Sequence, residues 1–231
     1  MPTQRQIDLN SRVELLIKAF PALLDFFLKD PPFRKHGQLE FHRETIQARV
    51  EAETAKNAIR NMDYLEGLYR TLRAWGIGAR GSRLVSFKRF ERAFRDRESE
   101  IEELETLAID QSEMDVIRTS RKLWKIINEL EIVENKTKLV PCTKALHHLL
   151  PNLVVPMDRE YTQIFFGWHN PEFQYDQKGC FMQAFKVFFR VARAVNPMQY
   201  VENVSSSWNT SRTKVIDNAI VGMFVAAKQL I

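Results

Sequence analysis

Lys144 and Asp158, two side chains suited to covalent chemistry, frame the stretch Leu139-Val140-Pro141-Cys142-Thr143-Lys144-Ala145-Leu146-His147-His148-Leu149-Leu150, which is followed by Pro151 and then Pro156-Met157-Asp158-Arg159. The spacing places an amine and a carboxylate at the two ends of a short apolar helix expected over residues 143–150, with Lys144 at its start and Pro151 closing it. Among Leu and Val neighbours an ammonium loses hydration, and an amine that gives up its proton becomes a nucleophile. Asp158 stands where the next helix should begin after Pro156, so its carboxylate either caps that helix or faces a cleft. His147 and His148 fall on different sides of their helix, which predicts one imidazole packed inside and one reaching solvent. No Glu-x-x-His element accompanies them, so no metal site is expected.

The elements that must position these groups read as helices. In 231 residues, 45% of them hydrophobic, only eight glycines and nine prolines interrupt the Leu, Ile, Phe and Met periodicity. That pattern predicts an all-α, multi-helix globular bundle around a cleft, one domain over residues 1–231 with a subdivision into lobes at about 1–110 and 111–231. Helices are expected over residues 10–29, stopped by Asp30-Pro31-Pro32, and over 39–75 with a break near 57–63; further helices are expected over 86–107, 113–131, 179–195 and 211–230. Residues 201–211 read as a mobile connector. Cys142 and Cys180 form neither a metal-spaced pair nor a disulfide framework, which fits a reducing compartment and gives no cofactor. Residues 1–10 are polar and no apolar run approaches a membrane span, so a cytoplasmic protein with no membrane partner is expected.

Charge is unevenly placed. Residues 70–97 carry nine bases (Arg70, Arg73, Arg80, Arg83, Lys88, Arg89, Arg92, Arg95 and Arg97) against Glu91 and Asp96, whereas residues 98–115 carry eight acids and no Lys or Arg. The two blocks either neutralise each other or stand as separate faces, and a net charge of +5 modestly favours an acidic partner such as nucleic acid. The loop Gly76-Ile77-Gly78-Ala79-Arg80-Gly81 is a turn first and a phosphate-contacting loop second, since glycines admit backbone amides and arginines bind oxygens in pairs.

A Thr-Lys pair entering an apolar helix, with Pro-x-Asp shortly downstream, resembles the catalytic segment of helix-hairpin-helix DNA glycosylases, most closely the 8-oxoguanine branch; the likeness covers about residues 138–166. It implies a DNA glycosylase/lyase in which Lys144 attacks the sugar carbon of a damaged nucleotide and Asp158 supports the positive charge developing on the sugar. Arg70, Arg73, Arg80, Arg83, Lys88, Arg89 and Arg159 would then meet DNA. Tyr161, Phe165, Phe166 and Trp168 either stack an extruded base or pack in the core. Two departures stand out: Leu139-Val140-Pro141-Cys142 lacks the family's hairpin glycines, and the Lys-to-Asp interval is shorter. No four-cysteine cluster signature follows. The second expectation is therefore a non-catalytic helical module, binding nucleic acid or protein, that keeps this segment as structure.

Overall fold

Proline and capping side chains divide the chain into short helices more often than hydrophobic periodicity suggests. The computed structural model describes residues 3–33, 37–78, 82–202 and 207–229. In chain order its elements are α1 (Gln4–Lys18), α2 (Phe20–Lys29), α3 (Gln38–Glu51), α4 (Ala55–Arg60), α5 (Met62–Ala74), α6 (Phe87–Arg95), α7 (Glu98–Glu102), α8 (Val116–Glu129), α9 (Leu139–Leu149), α10 (Thr162–Phe166), α11 (Asn170–Tyr175) and α12 (Gln177–Val195), then a 3-10 turn (Pro197–Tyr200) and α13 (Arg212–Gln229). The fold is all-α; among the described residues the sole β feature is one antiparallel bridge between Leu84 and Val133.

Each predicted helix that splits does so for a local reason. Residues 10–29 form two helices because Pro21 lies in the first turn of α2, where its missing N–H costs nothing but the preceding helix cannot run through it. Residues 39–75 break twice. Glu53 takes a positive φ of 61°, Thr54 then caps α4 through the Asn57 amide, and Asn61 caps α5 through the Tyr64 amide. Residues 86–107 break at Asp96 and Arg97. Gly76 and Gly78 turn the chain after α5 with φ of +81° and +108°, while residues 79–81 of that predicted loop lie outside the described residues.

Helix α9 begins earlier than expected. It starts at Leu139, not Thr143, because Pro141 falls in the first turn and because Gln177 Oε1 accepts from the amides of both Lys138 and Leu139. Lys144 is therefore a mid-helix residue, and the expectation of an amine at a helix start is corrected. α9 is buried on nearly every side by α3, α5 and α8, the pattern of a helix inside a core. α13 lies along α2 so closely that a Cβ on Gly222 would overlap the Leu23 carbonyl. The predicted mobile connector is also corrected: Ser207, Trp208, Asn209, Thr210 and Ser211 are buried, and residues 203–206 lie outside the described residues.

Candidate functional site

Helical spacing builds the site from two polar stripes on otherwise apolar helices. On α9, Lys144, His147 and His148 stand at i, i+3 and i+4 and share a face; on α13, Lys214, Asp217 and Asn218 do the same. His42 of α3, Trp75 just beyond α5 and Trp208 before α13 fill the space between. Both histidines of α9 are fully buried. The expectation that one would reach solvent fails because α3 and α5 cover the side of α9 that would otherwise be wet.

Lys144 is half-buried. Its Nζ donates to the Trp75 carbonyl at 3.4 Å and lies 5.5 Å from the centre of the Trp75 ring. Burial holds its pKa below the ordinary lysine value; Asp158 and Asp217 oppose that shift, and Lys214 adds to it. No ion pair joins Lys144 to either carboxylate. The amine is thus partly desolvated and has no ion-pair partner among the described residues.

Asp158 is held rigidly. Its Oδ1 accepts from the amides of Tyr161 at 2.6 Å and Thr162 at 3.3 Å, and its own amide donates to Thr162 Oγ1 at 3.1 Å. The carboxylate therefore holds the turn that enters α10 and bonds the first amide of that helix, while Tyr161 occupies the N-cap position itself. Oδ2 makes no hydrogen bond to a described residue. Arg159 is exposed and donates to Asn170 Oδ1 at 3.1 Å.

Lys214 is 1% exposed. Its Nζ donates to Asp217 Oδ2 at 2.6 Å and Asn218 Oδ1 at 2.7 Å. The rings of Phe27, Phe33, Trp75 and Trp208 surround it with centres 5.2 to 5.8 Å away. Burial pushes the Asp217 carboxyl pKa up, and Lys214 opposes that push. Asn218 in turn donates to Asn209 Oδ1 at 2.8 Å, which ties α13 to the segment before it.

The three buried imidazoles can be assigned protons from their partners. A carbonyl only accepts, so His148 Nδ1 donates to the Lys144 carbonyl at 2.8 Å, leaving Nε2 to accept from His42 Nδ1 at 3.0 Å. His42 Nε2 then accepts from Thr210 Oγ1 at 2.8 Å. Thr213 spends its hydroxyl proton on the Pro151 carbonyl, so His147 Nδ1 donates to Thr213 Oγ1 and the Val154 carbonyl. In this arrangement each ring is neutral, the form that burial favours. Burial is the first cause holding each pKa below the usual imidazole value, to about 4 for His148 and well down for His42 and His147.

The acidic block does not neutralise the basic one. Glu98, Glu102, Glu103, Glu105 and Asp110 pair with Arg60, Lys56, Lys122, Arg49 and Arg212, and among the described residues only Arg97 reaches across, to Glu100. Arg70, Arg73, Lys88, Arg89 and Arg92 remain exposed without an ion pair among the described residues. Arg83 meets Glu134 at 3.5 Å on an open surface, and Arg80 lies outside the described residues. Tyr161, Phe165, Phe166 and Trp168 pack inside the core, with Phe166 stacked on Trp168 at 4.3 Å.

Two surface recesses are described, of about 350 Å³ beside Glu44, Asp63 and Arg70 and of about 830 Å³ beside Arg5, Trp168 and Glu172; neither takes in Lys144 or Asp158. No group of three or more metal-ligating side chains is disposed to hold an ion among the described residues, and no helix there is long and apolar enough to cross a membrane. Sequence reading missed His42, Trp75, Trp208, Lys214 and Asp217. The available signal was Lys214-x-x-Asp217-Asn218, a polar stripe at helical spacing on an apolar helix. No family model, curated protein or solved structure matches this chain.

Proposed function

We propose that the chain is a helical base-excision glycosylase/lyase acting on DNA, with Lys144 as the nucleophile and Asp158 as the carboxylate that supports the electron-poor sugar. One observation carries the reading: a partly desolvated lysine amine with no ion-pair partner among the described residues, lying within the field of two carboxylates. In the reaction the Lys144 nitrogen forms a bond to the anomeric carbon as the glycosidic bond breaks. The base leaves with the bonding electron pair and takes up a proton, and opening of the sugar ring leaves an imine on Lys144. Asp158, fixed by two backbone amides, holds negative charge in place without reorganising as the sugar becomes cationic. The unpaired bases on α5 and α6 supply a surface for phosphates.

Borohydride trapping on oligonucleotides carrying abasic sites or oxidised purines tests this directly. A covalent adduct should form with the wild type, disappear in Lys144→Ala and weaken in Asp158→Asn. Absence of any adduct, or an adduct unchanged in Lys144→Ala, removes the proposal. The two described recesses, both lying away from Lys144, favour a second reading, a non-catalytic nucleic-acid-binding module. It predicts salt-sensitive binding with no adduct.

A further inference from the structure

Lys144 and Lys214 share one indole. The two amines lie 5.5 and 5.6 Å from the centre of the Trp75 ring, one reaching it from α9 and the other from α13. Their hydrogen bonds differ. Lys144 meets a carbonyl, while Lys214 meets a carboxylate at 2.6 Å and a side-chain amide oxygen at 2.7 Å inside four aromatic rings. Lys214 is therefore bound as a cation, with its N–H groups turned to acceptors and its lone pair unavailable. It cannot serve as the nucleophile in this arrangement.

We infer that Lys214 is a positioning residue for Lys144: by engaging Asp217 it keeps that carboxylate from pairing with Lys144, so the amine stays free to attack. This rests on the reading of Lys144 as a nucleophile and adds the device that maintains it. The groups facing Lys144 are Asp158 from the turn before α10, Asp217 and Lys214 from α13, His147 and His148 from its own helix, His42 from α3 and Tyr64 from α5. Burial favours the neutral form of the three imidazoles, and the Tyr64 hydroxyl donates to the His148 carbonyl at 2.9 Å. Only Asp158, Asp217 and Lys214 carry charge there. Asp158 keeps Oδ1 on the backbone amides of Tyr161 and Thr162, whereas Asp217 has an amine partner, Lys214, that a substitution can remove. Asp217 and Lys144 already act on each other through space, and each shifts the other toward its charged form.

Withdrawing Lys214 would strand a buried carboxylate beside a second amine. An unpaired buried charge takes an opposite charge within reach, and Lys144, the other amine held over the Trp75 ring, is the one expected to answer it.

The test reads the amine without DNA. The full chain is treated with a small acylating reagent across a range of pH, and modification of Lys144 is followed by peptide mass spectrometry with exposed Lys88 as the internal reference. In Lys214→Met, a neutral side chain of similar length, the Lys144 midpoint should rise by about one unit, slowing its acylation near neutrality about tenfold. The double variant Lys214→Met, Asp217→Asn should restore wild-type reactivity, and Lys214→Arg should retain it. A purely structural role for Lys214 would not produce rescue by a second loss of charge. Should Lys214→Met fail to fold, Asp217→Asn alone should lower the Lys144 midpoint, because the Lys214 charge then acts unopposed. A midpoint unmoved in Lys214→Met, a double variant that stays slow, or an Asp217→Asn midpoint that stays or rises would overturn the inference. Loss of DNA trapping with these shifts intact would count against the glycosylase reading alone.

Discussion

Acid should unfold this protein well before its carboxylates titrate, because its core is built around three neutral imidazoles. An unfolded histidine takes up a proton near pH 6.5, whereas His148 in the fold does so only at about 4 and His42 and His147 lower than normal as well. The unfolded chain thus binds more protons below pH 6.5. Stability is full above that value and falls as pH drops toward 4, with each site contributing up to roughly 1.4 kcal/mol per pH unit. For His148 alone the loss by pH 4 is about 3 kcal/mol. A typical domain has only about 5–15 kcal/mol in total, so three such sites suffice to bring unfolding into the window between pH 6.5 and 4. The assay is urea denaturation at half-unit steps from pH 7.5 to 4.5, followed by far-ultraviolet circular dichroism. Near pH 5.5 the slope of unfolding free energy against pH should correspond to more than one proton, and His148→Gln, though less stable overall, should flatten it. A stability that stays level from pH 7 to pH 5.5 would refute the assignment of neutral, buried rings.

Three further outcomes follow from single contacts. Gly222→Ala should cost about 3 kcal/mol despite alanine's better helix propensity, because the added methyl meets the Leu23 carbonyl and α2 must move away from α13; urea midpoints measure it. Asp158→Ala should lower stability by about 1 kcal/mol through loss of the bonds that hold the turn into α10, whereas Asp158→Asn, which keeps the Oδ1 acceptor, should leave the melting temperature nearly unchanged while weakening adduct formation, so calorimetry and trapping together separate the two roles. If DNA binds the exposed bases, neutralising Lys88, Arg89 or Arg92 should each reduce the slope of log affinity against log salt by about one; Arg97→Gln, which breaks pairs with Glu100 and Glu129, should lower stability and leave that slope alone.

Helical class was legible in the spacing of Leu, Ile and Phe, and so was the break near residues 57–63, where Asn61 caps α5; the caps Thr54, Asp115 and Asp176, which each bond an amide three residues on, set helix ends that the spacing alone did not place. Lys144 and Asp158 stood out in the sequence as a pairing of types fourteen positions apart, and the proposed chemistry starts from them. Helix lengths were less legible. Hydrophobic periodicity runs straight across the joint at Ala19 and across Glu53, because two short helices packed end to end bury the same stripe as one long helix.

What lay beyond the sequence was which polar stripes face inward. A period of three to four residues gives a helix its faces, but the wet face and the buried one can carry the same residue types, and only the neighbouring helices decide between them. His147 and His148 illustrate this, since burial of both follows from α3 and α5 covering α9. Lys214 and Asp217 illustrate it further: they come from about seventy positions beyond Lys144, and close packing of α13 on α2 carries them into an aromatic enclosure where a charge must find its partner locally. Local bonding chemistry is written in nearest neighbours along the chain, while desolvation and the shared field of distant charges exist only once the helices have packed.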